Sequence, residues 1–349
     1  MVGRILGGVL VALVAGALAV LAWPQLVGLE QAPVVAQAVA MRGSAALIAF
    51  AVVILLTLMA LLVRWARAFF AGLAIVGLCF VAAQAVVIGT RGAFGEGMPT
   101  PAPASITVLA WNTLGETPPV ADVADLIEET GADVVSLPET TYDGGAALVD
   151  ELAARGIEMQ QLTFAYNTVA KADSTTLLVG TELGEYRTDT TATTTNNRPT
   201  LVATPVDGAG PTLVAAHTTA PGVRDPSVWR ADLRWIAELC ATPDLIVAGD
   251  LNSTIDHWAG LATPGVEGAR IGACRDAAAD ASAAAIGTWP AALPPLLGTP
   301  IDHVLTGEAW RTTGFRVIGS QDGSGADHRP VVAQLEPVAA ATLPAPATS

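Results

Sequence analysis

The chain has 349 residues, 52% of them hydrophobic, and its mean hydropathy of +0.51 excludes an ordinary water-soluble protein. The formal net charge is −15 at pH 7, unevenly divided: residues 1–100 carry 5 Lys and Arg against 2 Asp and Glu, and residues 101–349 carry 12 against 30. An acidic domain repels polyanions, so residues 101–349 lack the usual electrostatic footprint of a nucleic-acid binder.

Three apolar runs near the N-terminus are long enough to cross a bilayer, whose hydrocarbon core of about 30 Å needs about 20 apolar residues in a helix. They are Ile5–Ala22, Gly43–Val63 and Ala68–Thr90. The first run could instead be a secretory signal peptide with Arg4 as its charged segment, but two further spans follow and no convincing small-residue cleavage site precedes Trp23. We therefore predict a membrane anchor of three transmembrane helices within residues 1–91.

The arginines near these spans predict the orientation of the anchor. Arg4 precedes the first span, and Arg64 and Arg67 lie in the tight turn between the second and third spans, so both places belong on the cytoplasmic side. Arg42 and Arg91 then lie on the other side. We expect a multi-pass protein of the plasma membrane whose residues after the third span are extracytoplasmic.

The remaining chain divides into a linker, one domain and a tail. Residues 92–104 form a Gly/Pro/Ala-rich linker, and residues 337–349 are a low-complexity segment predicted to be disordered. Between them, residues 105–336 are enough for a single α/β domain.

Strand and helix patterns alternate through that domain. The predicted strands are Ile106–Asn112, Asp133–Glu139, Thr175–Thr181, Thr200–Val206, Thr212–Thr218, Asp244–Asp250, Ile301–Gly307 and Pro330–Pro337. Helices are predicted at Val120–Ala132, at Gly144–Gly156 and after Asp225–Pro226, a good N-cap and first-turn pair. Strands this apolar need cover on both faces, which predicts sheets with helices outside them.

Three cysteines leave one question open. Cys79 lies inside a predicted span, whereas Cys240 and Cys274 both fall in the domain predicted to lie outside, where disulfides persist. The two could form a bridge or remain separate small apolar side chains.

Polar side chains recur at or near the ends of the predicted strands. They are Asn112, Glu139, His217, Asp250, Asn252, Asp302, Asp327 and His328. Strand ends on one rim of an α/β sheet are where sites assemble, and carboxylate and carboxamide oxygens suit Mg²⁺ or Mn²⁺ rather than zinc. The sequence has no Cys/His cluster at zinc spacing, no GxGxxG, no P-loop and no GxSxG. An oxygen-rich set with two histidines points to metal-assisted hydrolysis of a phosphate ester.

Six short motifs together resemble the endonuclease/exonuclease/phosphatase superfamily, which includes DNase I-like nucleases, inositol polyphosphate phosphatases and neutral sphingomyelinases. They are "WNT" (Trp111–Thr113), "LPET" (Leu137–Thr140), "AAHT" (Ala215–Thr218), "GDLN" (Gly249–Asn252), "IDHVL" (Ile301–Leu305) and "ADHRP" (Ala326–Pro330). The order and spacing fit over residues 104–336, with one departure at Pro138, where Gln is usual. The resemblance implies a four-layer α/β sandwich with two packed mixed β-sheets, here preceded by three transmembrane helices.

The resemblance also implies a metal site for Mg²⁺ or Mn²⁺. Glu139 matches the metal-binding glutamate of the family, with Asn112 beside it. Asp327 resembles the second acid on the metal side.

For catalysis the resemblance implies two groups of residues. Asp250 and Asn252 match the pair that orients the attacking water and holds a phosphoryl oxygen. His328 matches the histidine that contacts the scissile phosphate, with Asp302 as its orienting carboxylate, and His217 matches a histidine that stabilises the phosphate.

Several other polar residues have competing interpretations. Arg198 could contact phosphate or form a surface ion pair, and Trp289 could line a substrate pocket or pack in the core. His303 follows Asp302 on a strand and should face the opposite way, which predicts a structural role. Asp256 is interpreted as a helix N-cap, and His257 could line the site.

The predicted function is that of a membrane-anchored, divalent-metal-dependent phosphoesterase that attacks phosphorus in line with an activated water. The acidic surface and the anchor favour a lipid or small-molecule phosphate ester as substrate. The alternatives are an extracytoplasmic nuclease, which the acidic charge disfavours, and a catalytically inactive membrane binding module. No protein partner can be inferred from the sequence.

Overall fold

The computed structural model describes residues 2–93, 95, 97–102, 104–167, 169–265 and 268–338. Its N-terminal part consists of helices α1 (Val2–Ala22), α2 (Val35–Ala40), α3 (Arg42–Leu62) and α4 (Arg67–Arg91). Three stretches are long and apolar enough to cross a membrane: Ile5–Ala22, Arg42–Leu62 and Arg64–Arg91. Their outward side chains are large and apolar, as at Leu13, which is 66% exposed, and Leu61, which is 64% exposed. This surface indicates membrane association, because an aqueous surface of this kind would be unfavourable.

The rest of the described chain contains thirteen strands and four α-helices. The strands are β1 (Ile106–Ala110), β2 (Val134–Pro138), β3 (Met159–Ala165), β4 (Ser174–Gly180), β5 (Tyr186–Thr188), β6 (Leu201–Pro205), β7 (Thr212–His217), β8 (Leu245–Asp250), β9 (Arg270–Ile271), β10 (Cys274–Asp276), β11 (Asp302–Thr306), β12 (Trp310–Val317) and β13 (Val331–Pro337). The helices are α5 (Val120–Thr130), α6 (Tyr142–Ala154), α7 (Ser227–Leu239) and α8 (Ala277–Asp280).

The strands form two mixed sheets. The first has the order β12-β13-β1-β2-β4-β3 and the second the order β5-β6-β7-β8-β11-β10-β9. Each sheet has one parallel pair at its centre, β1 with β2 and β7 with β8, and its other pairs are antiparallel. At the centre of each sheet, the carboxyl ends of two parallel strands therefore lie side by side.

Alternating side chains place the two sheets face to face. On β1, Val108 and Ala110 point into the core between the sheets, whereas Leu109 packs outside against α5 and α6. The outer face of the second sheet is covered by α7 through Trp229 and Ile236. The layers are thus helices, sheet, sheet and helix, and the predicted four-layer α/β sandwich with two packed mixed sheets is confirmed.

The N-terminal helices pack directly on this sandwich. Ala36 of α2 is fully buried in the core beneath α7. A Cβ on Gly43, near the start of α3, would lie 1.7 Å from the carbonyl oxygen of Leu296, so this approach requires glycine. The Ser44 hydroxyl donates to the carbonyl of Leu297 at 2.7 Å. The helices and the sandwich therefore share a packed interface.

The segment predicted as a linker follows the surface of the sandwich in its described residues. The amide of Ala285 donates to the Gly92 carbonyl at 3.1 Å, and the amide of Gly95 donates to the Ser282 carbonyl at 3.3 Å. At the other end, β13 extends to Pro337, and residues 339–349 of the predicted disordered tail lie outside the described residues.

A disulfide joins Cys240 to Cys274 across 34 positions of sequence. It connects the C-terminal end of α7 to β10, and both cysteines are buried in the core beneath α7. Of the two alternatives for these cysteines, the structure contains the bridge.

Candidate active site

The register of the second sheet brings three site residues side by side. His217, at the end of β7, is the parallel partner of Asp250 at the end of β8. Asp302, at the start of β11, is the antiparallel partner of the same Asp250. From the first sheet, Asn112 follows β1 and Glu139 follows β2, both at the carboxyl ends of that parallel pair.

The backbone around Asp250 is shaped by two unusual conformations. Gly249 has a φ of +143°, and a Cβ there would lie 2.0 Å from the Ala216 carbonyl oxygen, so no other residue fits. Asn252 has a φ of +44°, in the left-handed region that asparagine tolerates better than most residues. Its side-chain amide donates to the Thr218 carbonyl at 2.9 Å, which fixes this turn.

Asp250 is the centre of the hydrogen-bond network. Its carboxylate accepts from the Asn112 side-chain amide at 3.1 Å and from the Asn252 backbone and side-chain amides at 2.8 and 3.2 Å. The Nε2 atoms of His328 and His217 lie 3.8 and 3.9 Å from its Oδ2. A water in this pocket would therefore meet a carboxylate whose orientation is fixed on several sides.

Burial raises the pKa of Asp250 above its usual range. The nearby charge of His328 opposes this shift, and the negative charge of Asp302 adds to it. A carboxylate with a raised pKa accepts a proton more readily, which is the property a general base needs near neutral pH.

His328 and Asp302 form a buried hydrogen-bonded pair. The Nδ1 atom of His328 lies 2.8 Å from Oδ2 of Asp302, and the side chains are 7% and 0% exposed. Burial disfavours the charged ring, but the carboxylates of Asp302 and Asp250 outweigh it and raise the pKa of His328 well above its usual range. The ring is therefore protonated, and its Nε2–H points into the site as a donor.

His217 has the opposite protonation state. Burial lowers its pKa, and the positive charges of Arg198 and His328 lower it further. Its Nε2 lies 3.9 Å from Oε1 of Glu139, and its buried Nδ1 has no hydrogen-bond partner among the described residues. A neutral imidazole here can form a hydrogen bond with a substrate oxygen.

The residues on the Glu139 side fit a hard divalent cation. The Asn112 amide nitrogen donates to Oε1 of Glu139 at 3.3 Å and to Oδ2 of Asp250 at 3.1 Å, so two carboxylates flank this side chain. The Asn112 Oδ1 accepts from the Leu114 backbone amide at 3.0 Å. Within the described part of the chain, His217 is the one basic side chain with a ring or amino nitrogen within 4.0 Å of the Glu139 carboxylate, and it is neutral. Buried carboxylates without a positive partner are unfavourable, and a cation such as Mg²⁺ or Mn²⁺ would supply the missing charge.

The third predicted metal residue, Asp327, has contacts with Trp289 and His328. One oxygen of Asp327 accepts from the indole Nε1 of Trp289 at 2.9 Å, and the other lies 3.9 Å from Nε2 of His328. Asp250, Asp302 and His328 can bring one ligand atom each to within 4.8 Å of one another. Since the His328 ring is protonated and bonded to Asp302, we assign these two residues to the acid pair rather than to a metal site.

Arg198 and Trp289, the two predicted substrate contacts, have protein partners. Arg198 donates to Asp173 at 2.8 Å, which is the ion pair that the sequence left as its alternative role. Trp289 donates to Asp327, which lies 3.9 Å from His328, so it adjoins the site through Asp327.

Three polar residues outside the site have structural partners. His303 faces away, as predicted, and contacts Oδ1 of Asp276 at 3.0 Å and the Ser253 carbonyl at 2.8 Å. The interpretation of Asp256 as an N-cap is wrong, because Thr254 caps the short helix Ile255–Trp258 and Asp256 pairs with Arg42 and Arg91 of the N-terminal helices. His257 does not line the site, since its Nε2 faces the Ala36 carbonyl at 3.1 Å.

Sequence reasoning missed one supporting contact of the site. The indole Nε1 of Trp111 donates to the backbone carbonyl of His328 at 2.9 Å and so ties the first strand to the last site loop. The signal was present, because Trp111 directly precedes Asn112 in "WNT", but a fully buried tryptophan looks like a core residue.

Comparison with known proteins gives a family and several distant structural neighbours. The model of the Endonuclease/Exonuclease/phosphatase family matches residues 109–328. No curated protein sequence matches the chain.

The structural neighbours share little sequence with this chain. A humanized D. rerio TDP2 with 14 mutations is 17% identical, with a TM-score of 0.49 over 67% of this chain and 99% of its own. The endonuclease/exonuclease/phosphatase from Beutenbergia cavernae DSM 12333 is 18% identical, with a TM-score of 0.44 over 67% of this chain and 72% of its own. A family protein from Leptotrichia buccalis C-1013-b is 11% identical, with a TM-score of 0.49 over 66% and 99% of the two chains.

Proposed function

The chain belongs to the endonuclease/exonuclease/phosphatase family of phosphoester hydrolases, and from this premise we propose that it is a membrane-anchored, divalent-metal-dependent phosphoesterase. The observation that carries the proposal is the convergence on Asp250 of Asn112, Asn252, His217 and His328 at one rim of the sandwich. These groups combine a base, an acid and neutral donors within one pocket.

The chemistry follows from the protonation states of these residues. Asp250 accepts a proton from a water held in the pocket, and the Asn252 amide fixes the direction of the carboxylate. The His328 Nε2–H donates to a phosphoryl oxygen as negative charge builds there, and Asp302 keeps the ring protonated and oriented. His217 contributes a neutral contact to the same phosphate.

Glu139 and Asn112 would hold the metal ion. When bound, Mg²⁺ or Mn²⁺ supplies charge stabilisation at the leaving oxygen. Asp327, which is tied to Trp289, supports the rim of the pocket in this assignment.

The substrate class is a lipid or small-molecule phosphate ester rather than nucleic acid. Two cations near the site are already paired, Arg198 with Asp173 and Lys171 with Glu116, both at 2.8 Å. With residues 101–349 strongly acidic, this leaves little to bind a polyanionic backbone.

The proposal is tested with the purified full chain on a panel of phosphomonoesters, phosphodiesters, phospholipid vesicles and nucleic acids, with Mg²⁺, with Mn²⁺ and with EDTA. We expect hydrolysis that requires the metal, and Glu139→Gln should lower kcat/KM at least about a hundredfold, because charge stabilisation is worth several kcal/mol. Glu128→Gln, which changes a surface carboxylate paired with Arg155, is the matched control.

Full activity in EDTA would show that the metal assignment is wrong. Hydrolysis of nucleic acid alone would favour the nuclease. Inactivity on every substrate with metal present would favour a catalytically inactive membrane module.

A further inference from the structure

Two arginines of the anchor bind one buried carboxylate of the catalytic domain. Arg42 donates through Nε and Nη2 to Oδ2 and Oδ1 of Asp256 at 2.9 and 2.6 Å. Arg91 donates through Nη1 and Nη2 to the same two oxygens at 2.5 Å each. The Asp256 side chain is 1% exposed, and the arginine side chains are 6% and 19% exposed. We call Arg42, Arg91 and Asp256 the clamp.

The clamp contacts all three long helices at one side of the bundle, where α1 ends, α3 begins and α4 ends. Arg42 is the first residue of α3 and Arg91 the last residue of α4. Arg42 also donates to the carbonyl of Ala22, the last residue of α1, at 3.1 Å and to the Gln84 side chain of α4 at 2.7 Å. Bidentate, charge-assisted contacts of this kind define an orientation as well as a distance.

Three of the domain loops that touch the anchor adjoin the active site. Asp256 follows Asn252 by four residues. The Pro221 carbonyl, four residues after His217, accepts from Gln37 at 3.0 Å. The Leu297 carbonyl, five residues before Asp302, accepts from Ser44 at 2.7 Å. These site residues lie at the ends of central strands of the second sheet. These strand ends therefore face the ends of the three long helices.

Apolar side chains are exposed at this same junction. In the loop after α1, Trp23 is 53% exposed, Leu26 is 79% exposed and Val27 is 57% exposed. On the domain side, Leu296 is 41% exposed and its carbonyl lies against Gly43 at the start of α3. Tryptophan and aliphatic side chains at the end of a membrane helix are typical of the headgroup region. The bilayer surface thus lies beside the site-bearing edge of the domain.

We propose that the clamp holds the active site at the bilayer surface and that the substrate is a phosphate ester of a lipid in the same membrane. Arg42, Arg91 and Asp256 are then positioning residues, since they act on the orientation of the domain and do not touch the reacting atoms. The lipid substrate rests on the proposed phosphoesterase function, whereas the position of the domain does not. A domain on a free tether would sample all orientations, and a clamped one keeps its site against the lipid headgroups.

The first test compares two substrates of the reconstituted full chain. Vesicles of phosphatidylglycerol and phosphatidylcholine supply the lipid ester, and bis(p-nitrophenyl) phosphate supplies a soluble one. We expect Asp256→Asn to lower the ratio of lipid to soluble hydrolysis at least tenfold. Asp280→Asn, which breaks an exposed ion pair with Arg275, should leave the ratio unchanged. Equal losses on both substrates, or hydrolysis of the soluble ester alone by the unmodified chain, would overturn the proposal.

The second test measures position without activity. In a chain with Cys79→Ser, a fluorophore is attached to Leu296→Cys or to Arg311→Cys, and quenching by a lipid-borne nitroxide is recorded. Arg311 pairs with Glu336 at the end of the first sheet opposite to Asn112 and is the distant control. We expect at least fivefold stronger quenching at position 296, and Asp256→Asn should reduce that difference.

Equal quenching at both positions would refute the clamped orientation even in an active phosphoesterase. Inactivity with strong quenching at position 296 would refute only the proposed function and its lipid substrate.

Discussion

Two buried histidines of one site differ in charge, one protonated and one neutral, because their neighbours differ. His328 lies 2.8 Å from Asp302 and 3.8 Å from Asp250, so two carboxylates stabilise its protonated form. His217 lies 3.9 Å from its nearest carboxylate oxygens, and the positive charges of Arg198 and His328 act against its protonation. The pocket therefore holds one fixed proton donor beside a neutral ring.

We expect His328 and Asp302 to act as a unit in catalysis. Each single substitution, His328→Ala or Asp302→Ala, should lower kcat by about 10²–10⁴-fold, because either change removes the oriented proton donor. The double variant should be little worse than the single ones, since both lose the same interaction. The measurement is a double-mutant cycle on kcat/KM with saturating metal.

His303 provides the control for this cycle. It follows Asp302 on β11 but binds Asp276 and the Ser253 carbonyl on the other face, so His303→Gln should cost stability and leave most of the activity. Strictly additive losses for His328 and Asp302, or a His303 variant as inactive as the His328 variant, would show that the wrong histidine was assigned.

The sequence predicts the contacts of site residues at strand ends better than it predicts contacts with residues far away in the chain. Strand ends and their registers dictate that His217, Asp250 and Asp302 meet, and this follows from local patterns. The partners of Asp327 and Asp256 come from residues 38 and more than 150 positions away, and no local pattern encodes such contacts. Side-chain partners across a fold are set by packing, which a single sequence does not display.

At the scale of elements, His257 connects α2 to the loop that follows the catalytic strand. Its Nδ1 accepts from the Thr254 amide at 2.9 Å, and its Nε2 lies 3.1 Å from the Ala36 carbonyl. One nitrogen must therefore be unprotonated and the other protonated, which fixes the neutral ring. Burial lowers the pKa of His257 to about 4.

We expect this junction to weaken as the pH falls. The ordinary pKa of 6.5 applies in the unfolded chain, so between pH 6.5 and about 4 the unfolded state binds a proton that the folded state does not. Stability is lost over that window, by roughly 1–3 kcal/mol for one such histidine. Thermal unfolding of the full chain in detergent, compared at pH 7 and pH 5, measures the loss, and His257→Gln should show a smaller pH dependence than the unmodified chain. An identical pH dependence in both proteins would contradict this assignment.

The disulfide makes a second prediction for an element junction. Cys240 and Cys274 tie α7 to β10, and on the chain-entropy model a loop of this length contributes roughly 3–4 kcal/mol. Reduction, or the double change Cys240→Ser with Cys274→Ser, should lower the unfolding temperature by several degrees. Alkylation of the denatured, non-reduced protein should label Cys79 but neither of these two. Labelling of all three cysteines would rule the bridge out.

The strands that the sequence failed to predict lie at or near the edges of the two sheets. They are β3, β5, β9, β10 and β12. The central strands are continuous apolar runs buried on both faces, which are easy to recognise. An edge strand such as β12, Trp310–Val317, carries Arg and Thr on its solvent side, and β9 has only two residues. Their strand character comes from a neighbour that supplies hydrogen bonds, so it is absent from the local pattern.

At the scale of the whole molecule, four arginines at the ends of the long N-terminal helices fall into two kinds. Arg64 and Arg67 are exposed in the tight turn between α3 and α4. Arg42 and Arg91, at the opposite end, share the single carboxylate of Asp256, which compensates one of their two positive charges. From sequence alone all of these count equally in the positive-inside rule. The ion pair leaves one uncompensated positive charge among the three clamp residues, against two at Arg64 and Arg67, which agrees with the prediction that the turn with Arg64 and Arg67 is cytoplasmic.

Protease accessibility of the full chain in intact spheroplasts tests the predicted topology. With Arg64 and Arg67 inside, the domain after Thr90 lies outside, and added proteinase K should digest it without detergent, since exposed loops such as the one at Val223 present cleavable backbone. A cytoplasmic marker protein must survive the same treatment, which shows that the membrane is closed. Changing Arg64 and Arg67 to Gln removes the free charge that retains this turn and should leave a fraction of the chains with a protected domain. A domain that stays intact until detergent opens the membrane would show that the orientation is inverted, and the active site would then face the lipids of the inner leaflet.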